Sequence, residues 1–361
     1  MKPPEIHKGR GALSNPEGRF ETLRKESEED GWHTPQDPED EPAPIATELR
    51  PDPSRSIISR NQSPDIPFSQ SINPYKGCEH GCIYCYARPS HAYLNLSPGL
   101  DFETKIFFKR DAAALLDAEL RRPGYRVRPI TVGANTDPYQ PAEKKLGVTR
   151  SILEVLRRFH HPVGIITKSM LVTRDIDILA ELAQERLATV LVTITTLDPE
   201  LKRGLEPRAA SPWSRLKAVE ALAKAGVPVG VMTAPIIPMV NDAEMERILE
   251  LAAAAGACAA GYVLLRLPYE LKDLFKEWLT AHFPLRAVHV MSLIRQSRGG
   301  QEYQAEFGTR MRGTGEFAEL IAKRFALACK RHGLGFGRRM ALDSTRFRVP
   351  PEGGQMGLWD E

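Results

Sequence analysis

Between residues 130 and 267, short apolar runs alternate with segments whose apolar positions recur every three or four residues. The runs are ITVGA (130–134), VGIIT (163–167), TVLVTI (189–194), VPVGVMTA (227–234) and GYVLLRL (261–267). Each is nearly continuous in apolar residues, as a parallel strand covered on both faces requires. Between them, Ile152/Val155/Leu156/Phe159, Ile176/Leu179/Ala180/Ala183, Leu216/Val219/Leu222/Ala223 and Met245/Ile248/Leu249/Ala252 each mark one face of a helix. This order predicts βα units with right-handed crossovers, in a parallel barrel or a doubly wound sheet. Either architecture places its chemistry on the loops that follow the C-terminal ends of the strands. No internal repeat of solenoid length is present.

The flanks differ from this α/β core, which the pattern places at residues 66–285. Residues 1–65 carry 9 Lys/Arg, 14 Asp/Glu and 10 Pro with few aliphatic clusters. Such a segment buries too little apolar surface to offset its ordering entropy, so a largely disordered, acidic, Pro-rich extension is expected. Its basic, Gly-containing stretch from Lys8 to Phe20 is also read first as a solvated tail, with docking on the core or on a ligand as the alternative. Residues 286–361 read as a basic helical extension: from Arg286 to Arg348 there are 13 Lys/Arg against 5 Asp/Glu, a surplus of roughly +8. Here Thr309-Arg310-Met311-Arg312-Gly313-Thr314-Gly315 leads into a helix through Phe317, Leu320, Ile321 and Ala328, either as a phosphate cradle or as the start of a solvated basic helix. Over all 361 residues the charge is only +3, too mild to identify a nucleic-acid binder by itself. No run reaches the roughly 18 apolar residues of a membrane span, and the N-terminus lacks the apolar core of a secretory signal. A cytoplasmic protein without membrane contact is expected.

The cysteines change the picture most. Three of the five fall at Cys78, Cys82 and Cys85, inside Ser71-Ile-Asn-Pro-Tyr-Lys-Gly-Cys-Glu-His-Gly-Cys-Ile-Tyr-Cys-Tyr86. This clustering is unlike a disulfide framework and points to a metal site in a reducing compartment. Soft thiolates select iron–sulfur clusters or zinc. A closed zinc site needs a fourth ligand, for which the choices are His80, His91 or a remote cysteine. A four-iron cubane held by three thiolates instead keeps one iron open to a ligand that is not protein.

With its C-x3-C-x-aromatic-C loop, the chain resembles the radical S-adenosylmethionine superfamily. Gly133-Ala-Asn-Thr-Asp-Pro-Tyr-Gln-Pro141, Thr167-Lys168-Ser169 with Arg174-Asp175, Thr193 to Thr196, Leu205-Glu206-Pro207-Arg208, and Pro235 to Pro238 through Asn241-Asp242 look like its spore photoproduct lyase-like branch, in the expected order over about residues 66–270. The resemblance implies a partial parallel (β/α)6 barrel in which Cys78, Cys82 and Cys85 hold a [4Fe–4S] cluster. It implies reductive cleavage of S-adenosyl-L-methionine to a 5′-deoxyadenosyl radical that takes hydrogen from a substrate, and an electron donor such as a flavodoxin or ferredoxin. Tyr84 resembles the aromatic that lies near the adenine. Asn135, Thr136 and Asp137 are candidates for the methionine ammonium or the ribose, Lys168 and Ser169 for the cofactor carboxylate. Thr195 and an Arg–carboxylate pair of Glu206 with Arg208 are candidates for orienting ribose or substrate. Each of these also has a bland reading in turn, cap or loop structure, and capping of the next helix is favoured for Asn241 and Asp242.

The branch and the basic C-terminal region favour a nucleic acid or nucleotide substrate. A peptide or small metabolite is the alternative, and a non-catalytic zinc or iron–sulfur module the second. Where spore photoproduct lyase carries a hydrogen-donating cysteine, this chain has Ala134, so reversal of thymine dimers by that route is not expected. Neither is photochemistry. Tyr139, Tyr262, Cys258 in an Ala-rich helix and Cys329 in the C-terminal helix are the remaining nominees for quenching a radical, although both thiols read more simply as buried small hydrophobes.

Overall fold

The computed structural model describes residues 6–20 and 45–351. Six strands, β1 (Gln70–Ile72), β2 (Ile130–Val132), β3 (Val163–Thr167), β4 (Ala188–Thr193), β5 (Val229–Ile236) and β6 (Ala259–Leu264), lie side by side in chain order, all parallel. A doubly wound sheet would reverse direction midway. The monotonic order is that of a partial (β/α)6 barrel, and among the described residues no ladder joins β6 back to β1. Ile58–Arg60 adds an antiparallel edge strand beside β1.

The register explains why the strands read as apolar runs. Ile72, Val132, Ile165, Val190 and Val229 form one continuous row across five strands, and all five are buried. The outer helices are α1 (Val148–Arg158), α2 (Ile176–Gln184), α3 (Pro212–Lys224) and α4 (Met245–Ala254). They bury the faces expected of them, such as Ile152, Val155 and Leu156 in α1, and Ile248, Leu249 and Ala252 in α4. The Ala-rich helix is shorter than its composition suggests. It ends at Ala254, and Cys258 lies in the link into β6 because Gly256, at φ +98, takes a conformation that a helix interior does not use.

The chain after β6 covers the open side and one end of the barrel. Helix α5 (Leu271–His282) carries the buried Trp278, and α6 (Ala287–Gln296) packs against it. Helix α7 (Gly315–His332) lies on α4, where Arg324 pairs with Glu246 at 2.7 Å, and meets β6 through Phe325 and Tyr262, 4.6 Å between ring centroids. The segment beyond runs under the N-terminal strand ends. Gly335 N donates to Cys258 O, Asp343 N to Arg186 O and Arg348 N to Phe159 O, so it crosses beneath β6, β4 and β3 in turn. The lead into α7 spends its groups internally: Arg310 pairs with Asp65, Arg312 covers the Tyr262 ring at 4.0 Å, and Thr314 N donates to Ser297 O. These contacts favour a structural lead over a phosphate cradle.

Two parts of the extension expected to be largely disordered dock on the core. Glu48–Pro51 pairs in parallel with Lys105–Phe108, and residues 10–13 are buried against the core. The expectation for residues 1–5 and 21–44, and for the end of the basic extension at 352–361, lies outside the described residues. Among those described, no helix is long and apolar enough to cross a membrane.

Candidate metal centre

The cysteine loop follows β1, so it stands at the C-terminal end of the barrel. Its backbone is held from several sides. Cys78 N donates to Phe102 O at 2.9 Å, Ile83 N to Leu205 O at 3.1 Å, and Glu79 N to Gln140 Oε1 at 2.8 Å. Gly81, at φ +66, leaves room for the Glu103 carboxylate, which a Cβ there would meet at 2.7 Å. Beneath the loop lies Arg88, fully buried. Its guanidinium donates to Cys82 O (2.9 Å), Gly81 O (3.1 Å), Pro98 O (3.1 Å) and Gly99 O (2.9 Å), and pairs with the buried Glu103. One side chain thus satisfies four carbonyls that burial would otherwise orphan.

Cys78 and Cys82 are buried and Cys85 is partly buried. Burial pushes all three thiols up, Cys82 to about 12, with Asp137 and the other two sulfurs adding to the effect on Cys78. Neutral thiols in an apolar, close-set group fit a centre that is completed only when a cation displaces their protons. Among the described residues no three or more His, Cys, Asp and Glu side chains converge as ligands of a single metal ion. The two histidines considered as a fourth ligand have protein neighbours. His80 Nδ1 lies 3.4 Å from Asp137, an ion-pair distance without hydrogen-bond geometry, and His91 Nε2 meets Lys105 O at 3.1 Å while its Nδ1 is buried without a partner.

The other expected site residues separate into those whose groups are committed and those left free. Asp137 is committed: it accepts from Thr167 Oγ1 and Lys168 N, both at 2.7 Å, and from Tyr139 N at 2.9 Å. Burial alone would raise its pKa, but His80 and these donors hold it at about 2. It therefore ties the end of β2 to the end of β3. Thr136 Oγ1 donates to Tyr75 O, and Ser169 Oγ accepts from Leu171 N as the cap of a short helix. Asn135 is exposed, with only its backbone N held, by Asn73.

Tyr84 is buried, its hydroxyl against Glu206 and Thr195, and Thr195 Oγ1 in turn donates to Glu206 at 2.7 Å. Glu206 does not pair with Arg208 as expected. Its partner is Arg215, fully buried at the start of α3, while Arg208 reaches Glu79 at 3.3 Å and Thr47 at 3.2 Å. Burial opposes ionisation of Glu206, yet Arg215 and Lys168 bring its pKa down to about 2. Asn241 stands at the N-cap position of the short turn Asp242–Glu244, but its side chain makes no cap hydrogen bond; it donates to Thr195 O (2.8 Å) and Pro235 O (3.0 Å), linking the ends of β4 and β5. Asp242 Oδ1 accepts from Met239 N at 2.6 Å.

Lys168 stands apart. Its Nζ lies 5.7 Å from the centre of the Tyr84 ring, beside Cys82, Cys85 and Glu206, and has no hydrogen-bond or ion-pair partner among the described residues. Sequence reasoning missed Arg88, Glu103 and Arg215, none of which sits in a recognisable spacing, and gave no role to Gln140 within the Gly133–Pro141 segment. It also missed Tyr86, whose exposed ring lies 5.5 Å from the Arg266 guanidinium and whose hydroxyl donates to Ala134 O. Of the radical-quenching nominees, Tyr139 is buried with its hydroxyl on Asp175, Tyr262 is buried under Arg312, Cys258 lies at the opposite end of the barrel, and Cys329 is on α7.

Comparison with known proteins agrees with this architecture. Residues 72–252 match the Radical SAM superfamily. The chain belongs to that superfamily, enzymes that pair a [4Fe–4S] cluster with S-adenosylmethionine. The uncharacterised protein Rv2578c of Mycobacterium tuberculosis is 38% identical over 221 residues, 61% of this chain and 65% of its own length. MJ0683 of Methanocaldococcus jannaschii, likewise uncharacterised, is 30% identical over 173 residues, 48% of this chain and 62% of its own. The chain thus spans less than two thirds of the length of these curated relatives. Among solved structures, spore photoproduct lyase complexed with dinucleoside spore photoproduct has a similar fold, with a TM-score of 0.56 over 80% of each chain at 14% identity.

Proposed function

We propose that Cys78, Cys82 and Cys85 are the protein ligands of the [4Fe–4S] cluster and that Lys168 holds the carboxylate of S-adenosylmethionine beside it. The observation that carries this reading is the juxtaposition of three thiols on one loop, two buried and one partly buried, with an uncommitted ammonium from the end of β3. When bound, the pair supplies a carbon-centred radical made by one-electron cleavage of the cofactor. The chain's own part is to bind and orient. Lys168 offers a point charge. The Tyr84–Thr195–Glu206–Arg215 network fixes the wall behind the loop, and Asp137 locks two strand ends so that the exposed Asn135 is presented at the mouth. A one-electron donor such as a flavodoxin or ferredoxin serves as partner, in a reducing compartment such as the cytoplasm. The substrate reading is a nucleic acid or nucleotide. The fold shared with a lyase complexed with a dinucleoside is consistent with it, whereas of the Lys and Arg after residue 285, Arg310 and Arg324 are paired with carboxylates, Arg298 is buried and Arg348 lies at the opposite end of the barrel. A peptide or small metabolite is the competing class.

Anaerobic reconstitution with iron and sulfide tests the centre. The expected outcome is about four irons per chain, broad thiolate-to-iron absorption, and 5′-deoxyadenosine and methionine on reduction in the presence of the cofactor. Cys82→Ala abolishes that cleavage while far-ultraviolet circular dichroism stays close to the parent. Stoichiometric zinc uptake without iron absorption, or full cleavage by Cys82→Ala, removes the assignment.

A further inference from the structure

The stretch from Lys8 to Phe20, singled out for its glycines and basic charge, joins the back of the cysteine loop. Arg10, Gly11, Ala12 and Leu13 are all buried. Gly11 N donates to Glu103 Oε2 at 3.0 Å and Ala12 N to Glu103 Oε1 at 2.8 Å, so the carboxylate beneath the loop is shared between Arg88 and this segment. Arg10 donates to Glu103 O at 2.9 Å and holds Thr47 at 3.3 Å. Ala12 packs in the apolar group that contains Cys82, Ile83 and Tyr84. Gly11 is required by proximity alone: it has no positive φ, but a Cβ there would overlap the carbonyl oxygen of Gly81, the residue just before Cys82.

We propose that Arg10–Ala12 is a positioning strap of the cluster, a segment remote in sequence that sets the course of the Cys78–Cys82 backbone through Gly81 and Glu103. The inference rests on the reading of the three cysteines as cluster ligands. Groups that orient metal ligands commonly change metal affinity by about 10- to 100-fold when removed. By reciprocity, a strap that favours the loaded loop must itself be held more firmly when the cluster is present.

Two glycines separate this role from general folding. Gly11→Ala forces the loop backbone to move, whereas Gly9→Ala, at φ +75 with open space around it, adds backbone strain without touching the loop. In reconstituted full-length protein, Gly11→Ala is expected to lose iron to bathophenanthroline about tenfold faster than the parent, and Gly9→Ala at close to the parent rate. Equal rates for all three overturn the strap. Should Gly11→Ala fail to fold, amide exchange of the parent decides: the Gly11 and Ala12 amides are expected to exchange more slowly with the cluster loaded, and exchange indifferent to loading overturns the proposal. A parent that takes up no iron overturns the cluster reading and the strap with it, whereas normal loading beside an unaffected Gly11→Ala overturns the strap alone.

Discussion

At the scale of single residues, the division is between charges that fold the site and charges left for a ligand. Asp137, Glu206, Arg215, Arg88 and Glu103 are each bound to protein on several sides, and their partners lie far apart in sequence. The misreading of Glu206 with Arg208 shows the reason. A single residue separates that pair, and proximity along the chain suggested a contact, but α3 brings Arg215 inward while Arg208 reaches Glu79. No spacing rule anticipates this, because burial decides which arginine completes a carboxylate. Lys168 was legible because its position at a strand end follows from the βα pattern, and the structure leaves its ammonium uncommitted. Lys168→Met is therefore expected to weaken S-adenosylmethionine binding about tenfold, ~1.4 kcal/mol, at unchanged iron content, as measured by equilibrium dialysis of reconstituted protein. Unchanged affinity would mean that Lys168 serves to offset Glu206 and the cluster rather than to hold the cofactor.

At the scale of elements, strands were the most legible feature: Val163–Thr167 was read with both of its ends, and the other four runs to within a few residues. A strand buried on both faces writes its period directly into the sequence. Elements that dock through backbone and single side chains do not, and both tails are of this kind. The C-terminal one is held by Phe347, which packs with Tyr125, Phe159 and His161 at the N-terminal end of β3. Burial there depresses the pKa of His161 to about 4, while Nδ1 faces Pro162 O and Nε2 the Tyr125 hydroxyl. The unfolded chain protonates this histidine near pH 6.5, well before the folded one. The folded state accommodates the neutral ring, and its stability declines as pH falls from about 6.5 through 4, by as much as about 3 kcal/mol from this group. Urea unfolding at pH 7.0, 5.5 and 4.5 should show that decline in the parent and a shallower one in His161→Gln. Parallel slopes would assign the acid sensitivity elsewhere.

At the scale of the whole molecule, the two ends of the barrel have different tasks, and the cysteines record it. The loop after β1 places three thiols at the C-terminal strand ends. Cys258 precedes β6 and so sits at the N-terminal end, over which the final segment is laid, and Cys329 lies on α7 outside the sheet. Both remote thiols are partly exposed rather than buried as the sequence suggested, and such burial as they have raises the pKa of each. A remote fourth ligand, which a closed zinc site would have required, would have to cross the packed layer of Val132, Ile165, Val190 and Val229. Cys258→Ser combined with Cys329→Ser is accordingly expected to leave iron content, S-adenosylmethionine cleavage and the amount of 5′-deoxyadenosine within about twofold of the parent. A fall in iron content with both serines present would draw one of these thiols into the centre, and a changed yield of 5′-deoxyadenosine at full iron content would make one of them a hydrogen donor. Either result would require the two ends of the barrel to communicate through a core that the structure packs solid.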